Sequence, residues 1–218
     1  QVPAFSIPTI TSLDTPASKE ITLTATLKDT NNTELTGQTV QWSLSGTYDG
    51  ITLTTNGNTA TLTITNSALS DRDNGYGPYI TVTASCSTTK AEQKFLIYVP
   101  TRTAKFVQIL KENDVVTSDT LAAGDSTTYT AKVYDQYGME MSDQTVTWAV
   151  SDNSLATVNG GTVTVNDSAA DNGSFTVTAT AGTNVTASVS VSIASSNSHN
   201  LIYHAAVAAT CTEAGNTE

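Results

Sequence analysis

Thr24 to Leu44 reads TATLKDTNNTELTGQTVQWSL, and Thr130 to Val150 reads TAKVYDQYGMEMSDQTVTWAV. Laid over one another without a gap, the two share Thr-Ala, then Asp29 or Asp135, then Gln-Thr-Val-x-Trp, at an offset of about 106 residues. The register also extends downstream. Asp73-Asn74-Gly75 precedes ITVTAS at Ile80 to Ser85, as Asp171-Asn172-Gly173 precedes FTVTAT at Phe175 to Thr180. The offset there falls to about 95, so the first copy carries about ten more residues between its Trp and its later strand. The chain is one unit written twice.

Within each copy the apolar residues alternate. Ile21, Leu23, Ala25 and Leu27 face one way, while Thr22, Thr24, Thr26 and Lys28 face the other. That period of two is the signature of a half-buried strand. The same reading turns Val40, Trp42 and Leu44 inward, then Ile80, Val82, Ala84 and Cys86. In the second copy it turns Val146, Trp148 and Val150 inward, then Phe175, Val177 and Ala179. About seven such runs per copy are separated by Asn, Gly and Asp turn signals. Thr supplies roughly a fifth of the residues, a β-branched bias that favours pleated strands over helices. The expected fold is all-β: two tandem immunoglobulin-like β-sandwiches of about seven strands each, with Trp42 and Trp148 filling the space between the sheets. Pro100 to Thr103 breaks the alternation, which sets the expected units at 1–100 and 101–194. A short joint of this kind leaves the two units limited freedom. Ser195 onward reads as a polar linker and tail, 195–218.

Composition removes several function classes. Twenty acidic residues against nine basic ones give a formal charge of −11. No Lys/Arg cluster is present to neutralise a phosphate backbone, so nucleic acid and anionic membranes are poor partners. The longest apolar stretches, such as Phe95 to Val99, are far short of the ~20 residues of a membrane helix. Gln1 in place of Met reads as a processed start or the boundary of an excised segment. The two cysteines, Cys86 and Cys211, exclude a disulfide-rich framework.

The second copy resembles the bacterial immunoglobulin-like domains of group 2, modules of surface proteins and adhesins. The resemblance rests on LAAGDSTTYTAKV at Leu121 to Val133, VTWAVSDNSLATVNGGTVTV at Val146 to Val165 and GSFTVTATAG at Gly173 to Gly182. It covers most of residues 103 to 194. The first copy keeps the Trp and TVTA strands but has YDGITLTTNGNTATLTI at Tyr48 to Ile64 instead of the Ala-Thr-Val-x-x-Gly element, so its assignment rests on the repeat. The tail, HNLIYHAAVAATCTEAGNTE from His199 to Glu218, resembles the opening of a Cys-containing repeat of surface proteins of Gram-positive gut bacteria, cut short before its further cysteines. The resemblance implies a bacterial cell-surface or secreted location.

The chemistry-bearing residues are sparse. His199 and His204 sit in the tail, so a Ser-His-Asp or Cys-His site inside either unit is excluded. No Gly-x-Ser-x-Gly and no phosphate-binding loop occurs, and no catalytic residue is expected. Asp71 to Gly75 and Asp167 to Gly173 put oxygen ligands into turns, but Gly75 comes fifth and no Glu follows at the EF-hand spacing. Turn chemistry therefore accounts for them, and no cofactor is expected beyond the bare chance of calcium. Cys86 reads as a buried free thiol, and Cys211 with His199 and His204 makes an incomplete zinc set. Exposed aromatics, among them Tyr134 and Tyr137, are possible platforms for a sugar ring, with the loop residues Tyr48, Tyr76 and Tyr79 the best candidates.

Three readings follow. One is a structural, adhesion-associated spacer in a longer chain. The second is a module that itself recognises a glycan or host surface protein through the Tyr48 to Tyr79 region. The third is an accessory region of a larger secreted hydrolase.

Overall fold

A computed structural model describes residues 2, 4–69 and 75–195. The fold is all-β, and the strands fall into two groups along the chain. The N-terminal group has β1 (Ala4–Phe5), β2 (Ser18–Thr24), β3 (Gln41–Leu44), β4 (Ile51–Asn56), β5 (Thr59–Thr65), a 3-10 turn at Asn66–Leu69, β6 (Gly75–Cys86) and β7 (Thr89–Val99). The C-terminal group has β8 (Ala104–Lys111), β9 (Asp114–Val115), β10 (Ser118–Leu121), β11 (Ser126–Thr128), β12 (Thr130–Asp135), β13 (Val146–Val150), β14 (Ala156–Asn159), β15 (Thr162–Val165), β16 (Ser174–Ala181) and β17 (Val185–Ile193). The second group has more strands partly because its second long strand is broken at Tyr129 into β11 and β12, which pair with different neighbours.

Each group stacks sheets in the same way. In the first, β1-β7-β6-β3 faces β2-β5-β4. In the second, β10-β17-β16-β13 faces β11-β15-β14, and β12 pairs with β8. The alternation of the sequence becomes the two sides of these sheets. Ile80 and Val82 on β6, Leu62 and Ile64 on β5, and Val177 and Ala179 on β16 are all buried. Each fully buried aliphatic side chain of this kind contributes about 1.5–3 kcal/mol. Two core clusters result, one built on Leu62, Ile64, Ile80, Val82 and Ile97, the other on Ile109, Val163, Val177, Val189 and Val191.

Trp42 and Trp148 pack against these clusters but are half-buried rather than enclosed. The cause is topological. β3 and β13 are the end strands of their four-stranded sheets, so one flank of each indole reaches solvent. Trp42 Nε1 satisfies its N–H by donating to Gly57 O at 3.0 Å. Trp148 lies over Gly161, where φ is +88° and an added Cβ would sit 2.4 Å from Tyr129 O and 3.3 Å from the indole. Only glycine fits that position.

Two expectations need correction. The span Tyr48 to Tyr79 is not an open binding loop. Most of it is the β4–β5 hairpin and the 3-10 turn, and Ile51, Leu62, Ile64 and Leu69 from it are core. Cys86, read as a buried thiol, is half-buried and free. It is the last residue of β6, at the end of the sandwich where the space between the sheets opens.

Candidate functional site

The two groups meet through a turn whose sequence lies in the repeat. Asp135 ends β12, and its Oδ1 accepts hydrogen bonds from the backbone N–H of Tyr137 (2.8 Å) and Met139 (2.9 Å). An Asx turn of this kind is the usual work of an Asp at a strand end. The first copy repeats it: Asp29 Oδ1 accepts from Asn31 N and Thr33 N, both at 2.8 Å. The copies then diverge. Asp135 is fully buried and pairs with Arg102, whose Nε lies 2.5 Å from Oδ2. Arg102 Nη2 also donates to Glu140 O at 3.0 Å. A buried carboxylate is tolerable when its charge and lone pairs are matched in this way.

The turn held by Asp135 projects Tyr137 into the other group. Tyr137, expected to be exposed, is 2% accessible and belongs to the core cluster of the N-terminal strands. Phe106 and Met139 pack against the same cluster. Polar bonds fix the seat. Asn66 Nδ2 donates to Tyr137 O at 3.1 Å, and Ile10 N donates to Gln136 O at 2.9 Å. Gln136 also bridges back, its Nε2 donating to Thr101 O and its Oε1 accepting from Thr103 N. Gly138, with φ +80°, leaves room for Ile10: a Cβ there would lie 3.0 Å from Ile10 Cδ1.

A second polar cluster closes the C-terminal core. Lys111 Nζ lies 2.7 and 3.0 Å from the two carboxylate oxygens of Asp119, and Tyr129 Oη donates to Asp119 Oδ2 at 2.7 Å. Burial opposes ionisation of Asp119, but the bonds from Lys111, Tyr129 and Thr120 outweigh it and hold its pKa below the ordinary 3.8. Burial, then the Asp119 carboxylate, raises the Tyr129 hydroxyl.

The tyrosines singled out from the sequence separate. Tyr48 is half-buried. Its hydroxyl lies 2.8 Å from Ser45 Oγ and donates to Tyr79 O at 3.4 Å, which gives the residue a structural task. Tyr76 lies in β6, its side chain outside the described part, and Tyr134 is half-buried on β12. Tyr79 is 59% exposed. Its register partner on β7 is Leu96, two residues from Tyr98, which is 38% exposed. Partners across a ladder share a face, so Tyr79, Leu96 and Tyr98 lie together on the outer side of the sheet. Sequence reasoning missed Tyr98 because the pairing of β6 with β7 selects it, through a register shift between Tyr76 and Tyr79.

Among the described residues no group of three or more His, Cys, Asp and Glu is placed to hold a metal. Asp71, Asp73 and Asn74 of the first acidic turn, and His199, His204 and Cys211 of the tail, lie outside the described residues. No helix among the described residues is long and apolar enough to cross a membrane.

Residues 111–192 match the family model described as bacterial Ig-like domain (group 2). Over those residues the C-terminal half is similar to a group 2 bacterial Ig-like domain. Its family match begins at the end of β8 and closes within β17, taking in Asp119, the Asp135 turn and Trp148. No curated protein matches the chain. Among solved structures, domains 4 and 5 of the S-layer protein SbsC are 22% identical, with 79% of this chain and 81% of that chain covered and a TM-score of 0.37. An endo-fucoidan hydrolase of glycoside hydrolase family 107 is 17% identical over 88% of this chain and 28% of its own, with a TM-score of 0.37. Human protocadherin-24 EC1-2 is 12% identical over 87% and 94%, with a TM-score of 0.33. The chain spans 23% of the longer S-layer chain rSbsC(31-844).

Proposed function

We propose that this chain is a non-catalytic spacer: two Ig-like modules in tandem, holding neighbouring parts of a longer bacterial surface or secreted protein at a set distance and angle. The observation that carries the reading is Tyr137, a side chain of one strand group buried in the core of the other. An ordinary linker between domains leaves each core complete and the angle free. Here the joint shares a core residue, is pinned by Asn66 and Ile10, and is braced by the buried Arg102–Asp135 pair. The family match of residues 111–192 supports the same class of module.

The test is the solution shape. Small-angle scattering of the wild-type chain is expected to fit one fixed arrangement of the two halves. Tyr137→Ala is expected to broaden it into an ensemble while strand content by circular dichroism is kept. A wild-type chain that already scatters as a freely jointed pair would remove the spacer reading.

A second reading has its own observation. The outer face bearing Tyr79, Leu96 and Tyr98 offers aromatic surface of the kind that stacks on sugar rings, and supports a glycan-binding role for the N-terminal module. Glycan-array binding lost in the Tyr79→Ala, Tyr98→Ala double variant would favour it. Silence of the wild-type chain would leave the spacer alone.

A further inference from the structure

The chain has two methionines, Met139 and Met141, and both fall in the connection from β12 to β13 that carries Tyr137. They differ in what they touch. Met139 is half-buried and packs against the N-terminal core cluster to which Tyr137 belongs. Met141 is half-buried too, but it packs on neither core cluster and lines an open polar hollow with Arg102, Glu140 and Asp143. The backbone fixes Met139 where it is. Its N–H donates to Asp135 Oδ1 and its carbonyl accepts from Asp135 N, both at 2.9 Å. The same carboxylate oxygen accepts from Tyr137 N, so the Met139 side chain cannot be withdrawn from the joint without undoing the turn that seats Tyr137.

The turn itself does not call for a thioether. In the first copy Thr33 stands at the matching position and makes the same two bonds, its N–H to Asp29 Oδ1 at 2.8 Å and its carbonyl from Asp29 N at 2.9 Å. What sets Met139 apart is the apolar seam that it enters. An unbranched, polarisable side chain fills an irregular seam well. It is also the apolar side chain that a single oxygen atom makes polar. Solvent reaches the seam: an open crevice between the two groups is lined by Thr11, Leu13 and Asp14 on one side and by Lys105, Phe106 and Thr186 on the other.

We propose that Met139 makes the joint redox-sensitive: a peroxide converts it to the sulfoxide, and the two halves then lose their fixed arrangement while each strand group stays folded. This rests on the spacer reading and adds the regulation of its joint. In the step a lone pair of Met139 Sδ attacks the peroxide. The S–O bond forms as the O–O bond breaks, a proton passes to the departing oxygen, and water leaves. Sulfur is oxidised by two electrons and the peroxide is reduced. The new oxygen is a strong acceptor that must give up water to return to the seam, a cost the thioether does not carry. Met139 lies at the margin of the cluster rather than among its buried members, so the cost falls on the joint and not on either core.

Treating the chain 1–218 with hydrogen peroxide tests this. Peptide mass spectrometry reports which sulfur carries oxygen, small-angle scattering the arrangement, and calorimetry the melt. Once Met139 is the sulfoxide, the scattering is expected to broaden into an ensemble and the melt to split into two transitions, with strand content by circular dichroism kept. Met139→Leu is expected to hold one arrangement through the same treatment, and Met141→Leu to respond as the wild type does. Met139→Gln is expected to loosen the joint with no oxidant present. Methionine sulfoxide reductase with a dithiol, which returns the thioether, a disulfide and water, is expected to restore the fixed shape. Unchanged scattering and melt with Met139 oxidised would overturn the proposal. Equal loosening of peroxide-treated Met139→Leu would overturn it too, by moving the effect to Met141 or the cysteines. So would a Met139 left intact where Met141 is converted. A chain that is freely jointed before any peroxide is added removes the spacer reading itself, so the two failures are told apart.

Discussion

Asp135 and Asp119 show how two carboxylates of one strand group take different tasks from their surroundings. Asp135 is wholly enclosed, so its charge depends on Arg102 and its turn on two backbone donors. Asp135→Ala strands a half-buried guanidinium and frees two N–H groups, an expected loss of about 3 kcal/mol in urea denaturation. Asp119 governs acid stability. Its pKa is lowered on folding, so the unfolded chain binds the proton more readily, and the stabilisation is present above the ordinary carboxylate pKa of 3.8. It is lost as pH falls through the lower folded value. Asp119→Asn is therefore expected to flatten the decline of melting temperature below about pH 4 relative to wild type, measured by calorimetry across the acid range. Of the two aspartates only Asp135 was marked in the sequence, as a repeated residue. Their partners, Arg102 and Lys111, were not, because each lies on a segment brought alongside only by β8. Tyr137 was misread for the same reason: its local pattern is that of an exposed turn, and its burial is supplied by strands far away in sequence.

At the scale of elements, period-two alternation was enough to give the β-strands and their inward faces, since a strand with one wet face writes that face into its sequence. Alternation does not say which strand lies at a sheet's end, so it overstated the burial of the two tryptophans on β3 and β13. It also cannot tell a covered strand from a bare one. Val133 and Leu27 occupy matching positions in the repeat, yet only Val133 is sealed, by β8. Truncating them separates the cases: Val133→Ala is expected to cost about 2 kcal/mol, and Leu27→Ala, half-exposed in the chain 1–218, under about 1 kcal/mol. Equal losses in chemical denaturation would show that Leu27 is as enclosed as its counterpart. The span Tyr48 to Tyr79 became a hairpin and a turn because Ile51, Leu62 and Ile64 are core residues. Reading that span as a loop weighed its length over its alternation.

For the molecule as a whole, the shared tyrosine couples the stabilities of the two halves. Unfolding either half exposes Tyr137 or empties its seat, so the wild-type chain is expected to melt in one transition or two closely overlapping ones by calorimetry. Tyr137→Ala removes a large buried aromatic, at a cost of about 3 kcal/mol, and is expected to split the melt into two resolved transitions. The surplus of acidic over basic residues gives the chain a net charge of −11, which favours solubility without bearing on which fold forms.

In both groups an early strand runs parallel to the last one: Ala4–Phe5 beside Leu96–Ile97, and Ser118–Leu121 beside Ser190–Ile193. Tension between the two ends of either group drags such a pair past one another along its length, so the bonds that join it are loaded together rather than opened one at a time. In both groups the parallel pair is thus placed to resist a pull along the chain.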